Sequence, residues 1–270
     1  MVNFLPVVRA LETINICVRG LGQVVVDPAT IMIGSNSITA RCRIEGVRGF
    51  RTIKCYLTSQ GVAKIVPQVF YPKALRVYTF SGVAEYVDVS ISRWSAGVAL
   101  DVVLYRGGCD YQALSRAFDC MALKHLKRGV IHGDIKPENI VVTPAGNMVL
   151  VDNGDLLKEI EGNYRAKDYG TNLYMHRHRH MRRTDKSTDD YTIALLSTLF
   201  AALGYDADLL SIKHSVDECV ESAVNILRDN GDVAHYNLAM AMQRSIMGKV
   251  DNIYALMQEI VAQNDMLKSK

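Results

Sequence analysis

The first third of the chain alternates apolar and polar residues in the way that is typical of half-buried β-strands. Its β-branched and aromatic runs are separated by glycines and other turn residues, which predicts short antiparallel strands. The predicted strands are residues 31–33, 38–44, 52–57, 75–80, 86–91 and 98–105. Residues 4–26 mix a helical period with a run of valines, so they predict a short helix or a strand pair packed on this sheet.

A helical period of apolar residues replaces this alternation after Gly108. The predicted helices are residues 111–128, 187–203, 215–229, 233–247 and 250–267. Two short strands, 139–143 and 148–151, interrupt them and are joined by a polar hairpin. The pattern therefore predicts an α+β fold, with an antiparallel sheet in residues 1–106, including an N-terminal extension over 1–30, and a mainly helical part in residues 107–270. The expected hinge lies near Arg106–Asp110.

Composition narrows the class of protein. The 270 residues are 49% apolar, which allows a sizeable core, and the net charge of +3 does not indicate a nucleic-acid-binding protein. Six cysteines occur without a Cys-x-x-Cys pair, which favours reduced thiols and a cytoplasmic location. The sequence contains no stretch of 18 apolar residues and no typical secretory signal, so we expect no membrane association.

The most informative motif is His-Gly-Asp-Ile-Lys-Pro-Glu-Asn, residues 132–139, which is followed directly by a strand. A second apolar run, 148–151, then leads to Asp152. Two short strands and a tight loop thus place two carboxylates, a lysine and an amide. This set suits phosphoryl transfer, in which a carboxylate orients a hydroxyl, a cation neutralises phosphate charge, and amide and carboxylate oxygens bind Mg²⁺.

The motif resembles the catalytic loop and metal-binding aspartate of the protein-kinase family, His-x-Asp-x-Lys-Pro-x-Asn followed by Asp-x-Gly. The resemblance implies a two-lobed kinase-like fold that uses ATP and Mg²⁺. It implies that Asp134 is the catalytic base, that Lys136 lies beside the γ-phosphate, and that Asn139 and Asp152 are the metal ligands. His132 is expected to have a structural role under the loop.

The first part of the chain carries a weaker resemblance to the family's nucleotide site. Lys54 lies within a predicted strand and resembles the lysine that holds the α- and β-phosphates. Gly34 aligns with the first glycine of the glycine-rich nucleotide loop. The resemblance places the adenine near Ile33, Thr52 and the backbone from Leu104 to Arg106, so we expect these residues to bind the nucleotide.

This loop departs from the family's pattern. Asn36 and Thr39 replace the other two glycines, and Arg41 stands where a valine usually covers adenine. Glycines at these places let backbone N–H groups approach a phosphate closely. Their loss predicts a stiffer loop, although asparagine tolerates left-handed conformations.

Further departures concern charges and packing. The sequence has no Asp or Glu between Lys54 and Glu85, so either Glu85 reaches Lys54 from an unusual place or the family's Lys–Glu pair is missing. We expect a trimmed or distorted helix in this part. Asn153 replaces the phenylalanine of Asp-Phe-Gly, and Gly133 replaces the arginine before the catalytic Asp. That arginine reads a phosphorylated activation segment, so we expect no switching by phosphorylation.

Two features follow the catalytic motif. Asp190, or alternatively Asp189, resembles the buried aspartate that anchors the catalytic loop to the long central helix. Residues 176–183, His-Arg-His-Arg-His-Met-Arg-Arg, form a dense basic run. This run is either a solvated loop, a recruiting surface for an acidic or phosphorylated protein substrate, or a nucleic-acid contact; the last is disfavoured because no aromatics are interleaved.

These patterns lead to one main functional hypothesis and two alternatives. The main hypothesis is a divergent protein kinase that transfers the γ-phosphate of ATP to Ser or Thr hydroxyls, with Mg²⁺. The first alternative is a pseudokinase scaffold with weak or no turnover, which the altered glycine loop and the missing Glu support. The second is a small-molecule kinase on the same fold.

Overall fold

The structure is a computed structural model that describes residues 5–34, 37–56, 69–78, 81–151, 174, 189–210, 215–246 and 248–268. It divides into two compact units, Met1–Trp94 and Ser95–Lys270, each with its own hydrophobic core. The sequence pattern predicts this division between residues 106 and 107, which is one helix further along the chain than Trp94.

The first unit is an antiparallel sheet with one helix. Its elements are α1 (Leu5–Glu12), β1 (Asn15–Val18), β2 (Gly22–Val26), β3 (Met32–Ile33), β4 (Ser37–Ile44), β5 (Arg51–Tyr56), β6 (Val69–Tyr78) and β7 (Ala84–Arg93). The strand order is β1-β2-β4-β5-β7-β6, and β3 pairs with β4. The N–H of Arg19, just after β1, donates to the carbonyl of Ala74 in β6 at 2.8 Å, so the two ends of this order meet and the sheet is barrel-like.

The alternation along β4 explains its two faces. Ile38, Ala40, Cys42 and Ile44 are buried, whereas the residues between them point away from the core. Val7 and Leu11 of α1 are buried in the same core. The strands predicted over residues 31–33, 38–44, 52–57, 75–80 and 86–91 are confirmed within the described residues. The helix expected between Lys54 and Glu85 is not found over residues 69–78, which are strand, and residues 57–68 lie outside the described part.

The second unit is mainly helical. Its elements are β8 (Val98–Ala99), α2 (Leu100–Arg106), α3 (Tyr111–Arg128), β9 (Ile140–Val142), β10 (Met148–Leu150), α4 (Asp190–Leu203), α5 (Val216–Asp229), α6 (Val233–Gln243) and α7 (Ile253–Lys268). The apolar helix α4 packs against α3, α5 and α6, with Phe118 and Phe200 in edge-to-face contact at 5.2 Å between ring centroids. The predicted helices are confirmed, except that α6 ends at Gln243 and α7 begins only at Ile253. The chain therefore has an α+β fold with an antiparallel N-terminal sheet and a helical C-terminal part.

The strand predicted over residues 98–105 is wrong beyond Ala99. Residues 100–106 form α2, with Leu100 fully buried and Val103 and Leu104 packed on the same core. These three positions have the i, i+3, i+4 spacing of a helix face. The stabilisation from burying this face outweighs the strand propensity of the paired valines, which is a weak preference.

The described helices differ from membrane-spanning segments. None of them is both long enough and apolar enough to cross a membrane.

Candidate active site

The loop between α3 and β9 carries the kinase-like motif. Asp110 caps the start of α3 by accepting from the N–H of Ala113 at 2.9 Å, and Gly129 ends the helix with a left-handed backbone, φ +61°. The motif residues then turn through a short 3₁₀ segment, Pro137–Asn139, into β9. Proline at the first position of that segment fixes the backbone as the turn requires.

Three side chains of this loop converge. The Nζ atom of Lys136 lies 2.9 Å from Oδ2 of Asp134, and both side chains are about one quarter exposed, at 23% and 26%. The Nδ2 group of Asn139 donates to the carbonyl oxygen of Asp134 at 2.8 Å and to its Oδ2 at 3.2 Å. The carboxylate of Asp134 is therefore held in place from two sides while it still reaches solvent. An ion pair this exposed adds little stability, so its main consequence is geometric.

Asn139 is oriented by these bonds. Its amide nitrogen has two acceptors on Asp134, which leaves its Oδ1 facing away, and Oδ1 accepts no hydrogen bond from the described residues. The residue is 9% exposed. An amide oxygen presented in this way is a ligand type that suits Mg²⁺. Among the described residues, no group of three or more His, Cys, Asp or Glu side chains could hold a metal, and the second predicted ligand, Asp152, lies outside them.

A buried carboxylate holds the backbone of the loop. Asp189, which directly precedes α4, accepts from the N–H of His132 at 2.7 Å, the N–H of Gly133 at 2.8 Å and Nε2 of His125 at 2.8 Å. Burial alone would raise the pKa of Asp189. The hydrogen bond and charge of His125, together with the His132 contacts, lower this pKa below its ordinary value. The anchor is therefore Asp189, the alternative of the sequence analysis; Asp190 is also buried and begins α4.

His132 joins the loop to the strand that leads to Asp152. Its Nε2 donates to the carbonyl of Val151 at 2.9 Å, and its Nδ1 accepts from the N–H of Asp134 at 3.3 Å. The N–H of Val151 donates to the carbonyl of Asn139 at 2.8 Å. Val151 is thus bonded to the motif at both its N–H and its carbonyl, and His132 has the structural role expected of it.

Several residues singled out in the sequence lie outside the described residues. These are Asp152, Asn153 and the basic run 176–183. Tyr174, which is described, accepts from Oγ1 of Thr192 through its carbonyl at 2.8 Å, which fixes this point of the chain to α4.

Lys54 occupies the middle of β5 in the first unit. It lies opposite Thr39 of β4 and Ser90 of β7, and it is 7% exposed. Its Nζ atom lies 5.5 Å from the ring centroid of Tyr56, whose hydroxyl is 3.0 Å from Oγ of Ser90. A lysine this buried is rare in proteins and is costly unless its charge has a partner, so the position is constrained.

Glu85 does not supply the acid for Lys54. The strand register pairs Lys54 with Ser90, whereas Glu85 pairs with Val77, five residues further along β7. At about 3.3 Å per residue this separation is roughly 16 Å along the strand, and Glu85 is exposed. Of the two possibilities left by the sequence, an ion pair with Glu85 is therefore excluded.

The other residues predicted to bind nucleotide in the first unit lie in β-strands or in the connection between two of them. Gly34 donates its N–H to the carbonyl of Ser37 at 2.9 Å in the β3–β4 connection. Ile33 of β3 is 60% exposed, and Thr52 of β5 lies opposite Arg41. Thr52 is on the same face of the sheet as Lys54, because residues two apart in a strand point to the same side.

Leu104 and Arg106, which were predicted to contact adenine through an extended backbone, lie in α2. An extended backbone would have offered free N–H and carbonyl groups, but this segment is helical, and the carbonyl of Leu104 accepts from Gly107 at 3.2 Å. The predicted strand is therefore wrong at these residues, and the nucleotide contact at Leu104 and Arg106 stays a prediction.

Two buried networks of the second unit were not predicted from the sequence. One is the pair of His125 and Asp189, which are 64 residues apart in sequence. The other surrounds Asp119, which is fully buried and accepts from Ser197 at 2.6 Å and from His235 at 3.2 Å. Polar residues on otherwise apolar helix faces are the one local pattern that could have indicated them.

Comparison with known proteins gives a partial likeness. A segment of 77 residues, 27% of this chain, is 39% identical to the serine/threonine-protein kinase AtPK1/AtPK6 of Arabidopsis thaliana and equally to AtPK2/AtPK19 of the same plant. The match spans 16% of the length of each relative. No protein-family model matches the chain. These findings support a kinase-like relationship.

Proposed function

We propose that this protein is a divergent protein kinase that transfers the γ-phosphate of ATP to Ser or Thr hydroxyls of a protein substrate, with Mg²⁺. The arrangement of Asp134, Lys136 and Asn139 on one anchored loop carries the proposal. Such a loop places a carboxylate where it can orient a hydroxyl, beside a cation. The partial likeness to two proteins named as serine/threonine kinases supports the same class.

In the proposed reaction, Asp134 accepts the proton of the substrate hydroxyl as that oxygen bonds to the γ-phosphorus. The bond from this phosphorus to the bridging oxygen breaks, and ADP leaves with the electron pair. Lys136 stabilises the negative charge on the transferring group, and Lys54 binds the α- and β-phosphates. Asn139 and Asp152 would hold Mg²⁺, which neutralises phosphate charge when bound.

The test is ATP turnover and ATP binding, with Mg²⁺, for the wild type beside Asp134→Asn. Loss of a positioned base lowers rates by about 10²–10⁴-fold, so we expect kcat to fall by that factor while ATP affinity is kept. Asp229→Asn is the matched control, since this carboxylate of the same unit is 65% exposed on the surface. Equal activity of Asp134→Asn and wild type would refute the role of Asp134.

A pseudokinase scaffold is the second candidate, and the first unit favours it. Arg41, at the place of a small valine, forms an ion pair with Asp27 and stacks on Phe50 at 4.6 Å. Glu85 is too distant to pair with Lys54. Wild-type protein that binds ATP without turning it over would support the scaffold, and protein that binds no nucleotide would rule out both candidates.

Substrate recruitment is assigned to the basic run 176–183 on sequence alone. Its arginines suit carboxylates and phosphates, which they bind through paired N–H groups. Neutralising Arg177, Arg179, Arg182 and Arg183 together should weaken binding of acidic or phosphorylated peptides and raise their KM. Unchanged peptide KM would remove this assignment without affecting the role of Asp134.

A further inference from the structure

A polar cavity lies among four helices of the second unit, α3, α4, α6 and α7. Its volume is about 240 Å³. Pockets for drug-sized ligands begin at roughly 300 Å³, so this cavity suits a small metabolite. Its walls include Ser115 and Arg116 of α3, Asp232 and His235 at the start of α6, and Asn264 of α7, while the end of α4 closes another side.

The wall at the start of α6 carries a net negative charge. His235 is buried between two carboxylates, with its Nδ1 2.9 Å from Oδ2 of Asp232 and its Nε2 3.2 Å from Oδ2 of Asp119. Burial alone would lower the pKa of His235, but the two carboxylates raise it to about 9, so the ring is protonated at neutral pH. One imidazolium thus balances only one of two carboxylates. Asp119 is fully buried, whereas the side chain of Asp232 is 13% exposed and reaches the cavity.

Arg116 brings the opposite charge into the same cavity. Its side chain is half-buried in the wall formed by α3, and it forms no hydrogen bond or ion pair with any other residue that the structure describes. Arg116 and Asp232 therefore line one cavity without pairing with each other. A guanidinium group binds a carboxylate through two parallel N–H groups, so Arg116 offers donors to an anionic group of a ligand.

Ser115 is a second polar group without a partner at this place. It is 5% exposed, and its hydroxyl makes no hydrogen bond within the described part of the chain. Buried hydroxyls normally have a hydrogen-bond partner, so one that lines a cavity without a partner indicates a ligand or water there. Ser115 and Arg116 are neighbours on α3, and both can donate to the same acidic group.

The separation of charge indicates which kind of ligand fits. A simple anion at Arg116 would lie in a cavity that also contains the Asp232 carboxylate, and a simple cation at Asp232 would leave Arg116 without a partner. An apolar ligand would bury both charges without compensation, which is costly. A zwitterion satisfies both groups at once, because it carries one charge of each sign.

We propose that this cavity binds a free α-amino acid. Arg116 and Ser115 donate to its carboxylate, and Asp232 accepts from its ammonium group. The amide side chains of Gln112 and Gln263 also line the cavity, so a polar side chain such as that of glutamine is preferred. The inference is independent of the kinase proposal, because none of these residues has a role in phosphoryl transfer.

The first experiment measures thermal unfolding of the intact protein with L-glutamine, and then with each of the other common L-amino acids. At about a hundredfold excess over Kd, a bound ligand should raise Tm by about 5 °C. Calorimetric titration then gives Kd for L-glutamine and for two analogues that each lack one charge. N-acetyl-L-glutamine has no ammonium group and L-glutaminamide has no carboxylate, so each should bind at least tenfold more weakly. No shift of Tm with any L-amino acid would overturn the proposal, and so would equal binding of N-acetyl-L-glutamine, which would make the cavity a site for simple anions.

Arg116→Gln tests the protein side of the same contact. It should weaken L-glutamine binding at least tenfold, yet leave the weak binding of L-glutaminamide unchanged, because that analogue has no carboxylate to lose. Arg128→Gln is the matched control, since Arg128 is exposed on the same helix and does not line the cavity. It should bind like the wild type, and an equal loss in both variants would overturn the proposal. The Tm of each variant without ligand separates misfolding from lost binding.

Discussion

The two units differ in how they hold polar side chains. In the first unit, the buried polar residues among those described are Lys54 and Ser90, which lie opposite each other on the sheet face that points away from the apolar core. In the second unit, carboxylates and histidines are buried together, as in the pairs of Asp189 with His125 and Asp119 with His235. The second unit therefore fixes its candidate catalytic loop from inside its core, whereas the first unit displays its charged groups mainly on the sheet surface.

This difference accounts for the contrast between the loop from His132 to Asn139 and the position of Arg41. Changing a member of a buried, hydrogen-bonded charge network costs about 3–5 kcal/mol, whereas most surface substitutions stay within about 0.5 kcal/mol. The loop from His132 to Asn139 is tied to such a network, and it keeps its pattern apart from Gly133. Arg41 points away from the core on β4, where a new side chain is tolerated and can form new contacts.

The largest expected effect comes from the anchor of the loop. Asp189→Asn keeps the shape of the side chain but removes a charge that accepts three hydrogen bonds in a buried place. We expect the free energy of unfolding to fall by about 3 kcal/mol, as measured by urea titration. In the folded protein, kcat should fall with little change in the KM for ATP, because the loop backbone loses its support.

Asp229→Asn again serves as the control, since that carboxylate is exposed and should change stability by less than about 0.5 kcal/mol. If Asp189→Asn were as stable as the wild type, the contrast between the two units would lose its main support. If its stability fell while kcat stayed constant, Asp189 would hold the fold without positioning the loop.

Lys54 is the residue that tests whether the first unit takes part in nucleotide chemistry. Lys54→Met removes the cation while keeping most of the buried stem, so the kinase proposal predicts a fall in kcat/KM for ATP of about a hundredfold. Lys73→Met is the control, because Lys73 is exposed in the same sheet. Unchanged kcat/KM in Lys54→Met would mean that this sheet takes no part in nucleotide chemistry, although Asp134 could still act.

Much of the fold was accessible from the sequence because its elements depend on local patterns. The alternation in β4 and the apolar period of α3 indicate strand and helix without tertiary information. Residues 100–106 show the limit of such patterns. Their valines favour a strand, and only packing against the core of the second unit, which the sequence does not display, makes them a helix.

The candidate site shows the same limit. Asp134, Lys136 and Asn139 could be found because they are close in sequence and share one turn. His125 could not be assigned as a partner of Asp189, because the chain between them spans 64 positions and no local pattern links them. Glu85 remained an open partner for Lys54 until the register of β7 placed it far along the strand.

The buried charges of the second unit also predict a pH dependence of stability. Burial alone would lower the pKa of His235, but hydrogen bonds and charges of Asp119 and Asp232 raise it to about 9. A raised pKa means that this stabilisation is complete below the unfolded value of 6.5 and is lost as the pH rises through 9. We expect a loss of about 2 kcal/mol between pH 7 and pH 9.

Urea titrations at several pH values measure this loss, and His235→Gln provides the comparison. The variant should be less stable at pH 7 but should lack the decline towards pH 9. The contribution of His235 would be disproved by a wild-type stability that is constant over this range. A decline of equal size in both proteins would place the titrating group elsewhere.

The smallest expected effect concerns Gly133, the residue at which the loop from His132 to Asn139 differs from the protein-kinase pattern. Gly133 has φ +80°, a conformation that favours glycine, and its N–H donates to Asp189. Gly133→Ala should lower the free energy of unfolding by about 1 kcal/mol through backbone strain and should lower kcat several-fold by shifting Asp134. Gly133→Arg should behave no better, because the strain applies to any L side chain.

Gly146 offers a matched control for backbone strain. It has φ +77° in the β9–β10 hairpin, where an added Cβ would meet no atom within 4 Å. Gly146→Ala should lose the same stability while keeping kcat, since this turn carries none of the proposed catalytic groups. A kcat that fell equally in both variants would show that activity follows stability alone. A fall confined to Gly133→Ala would show that the anchored loop geometry, rather than the mere presence of Asp134 and Lys136, sets the rate.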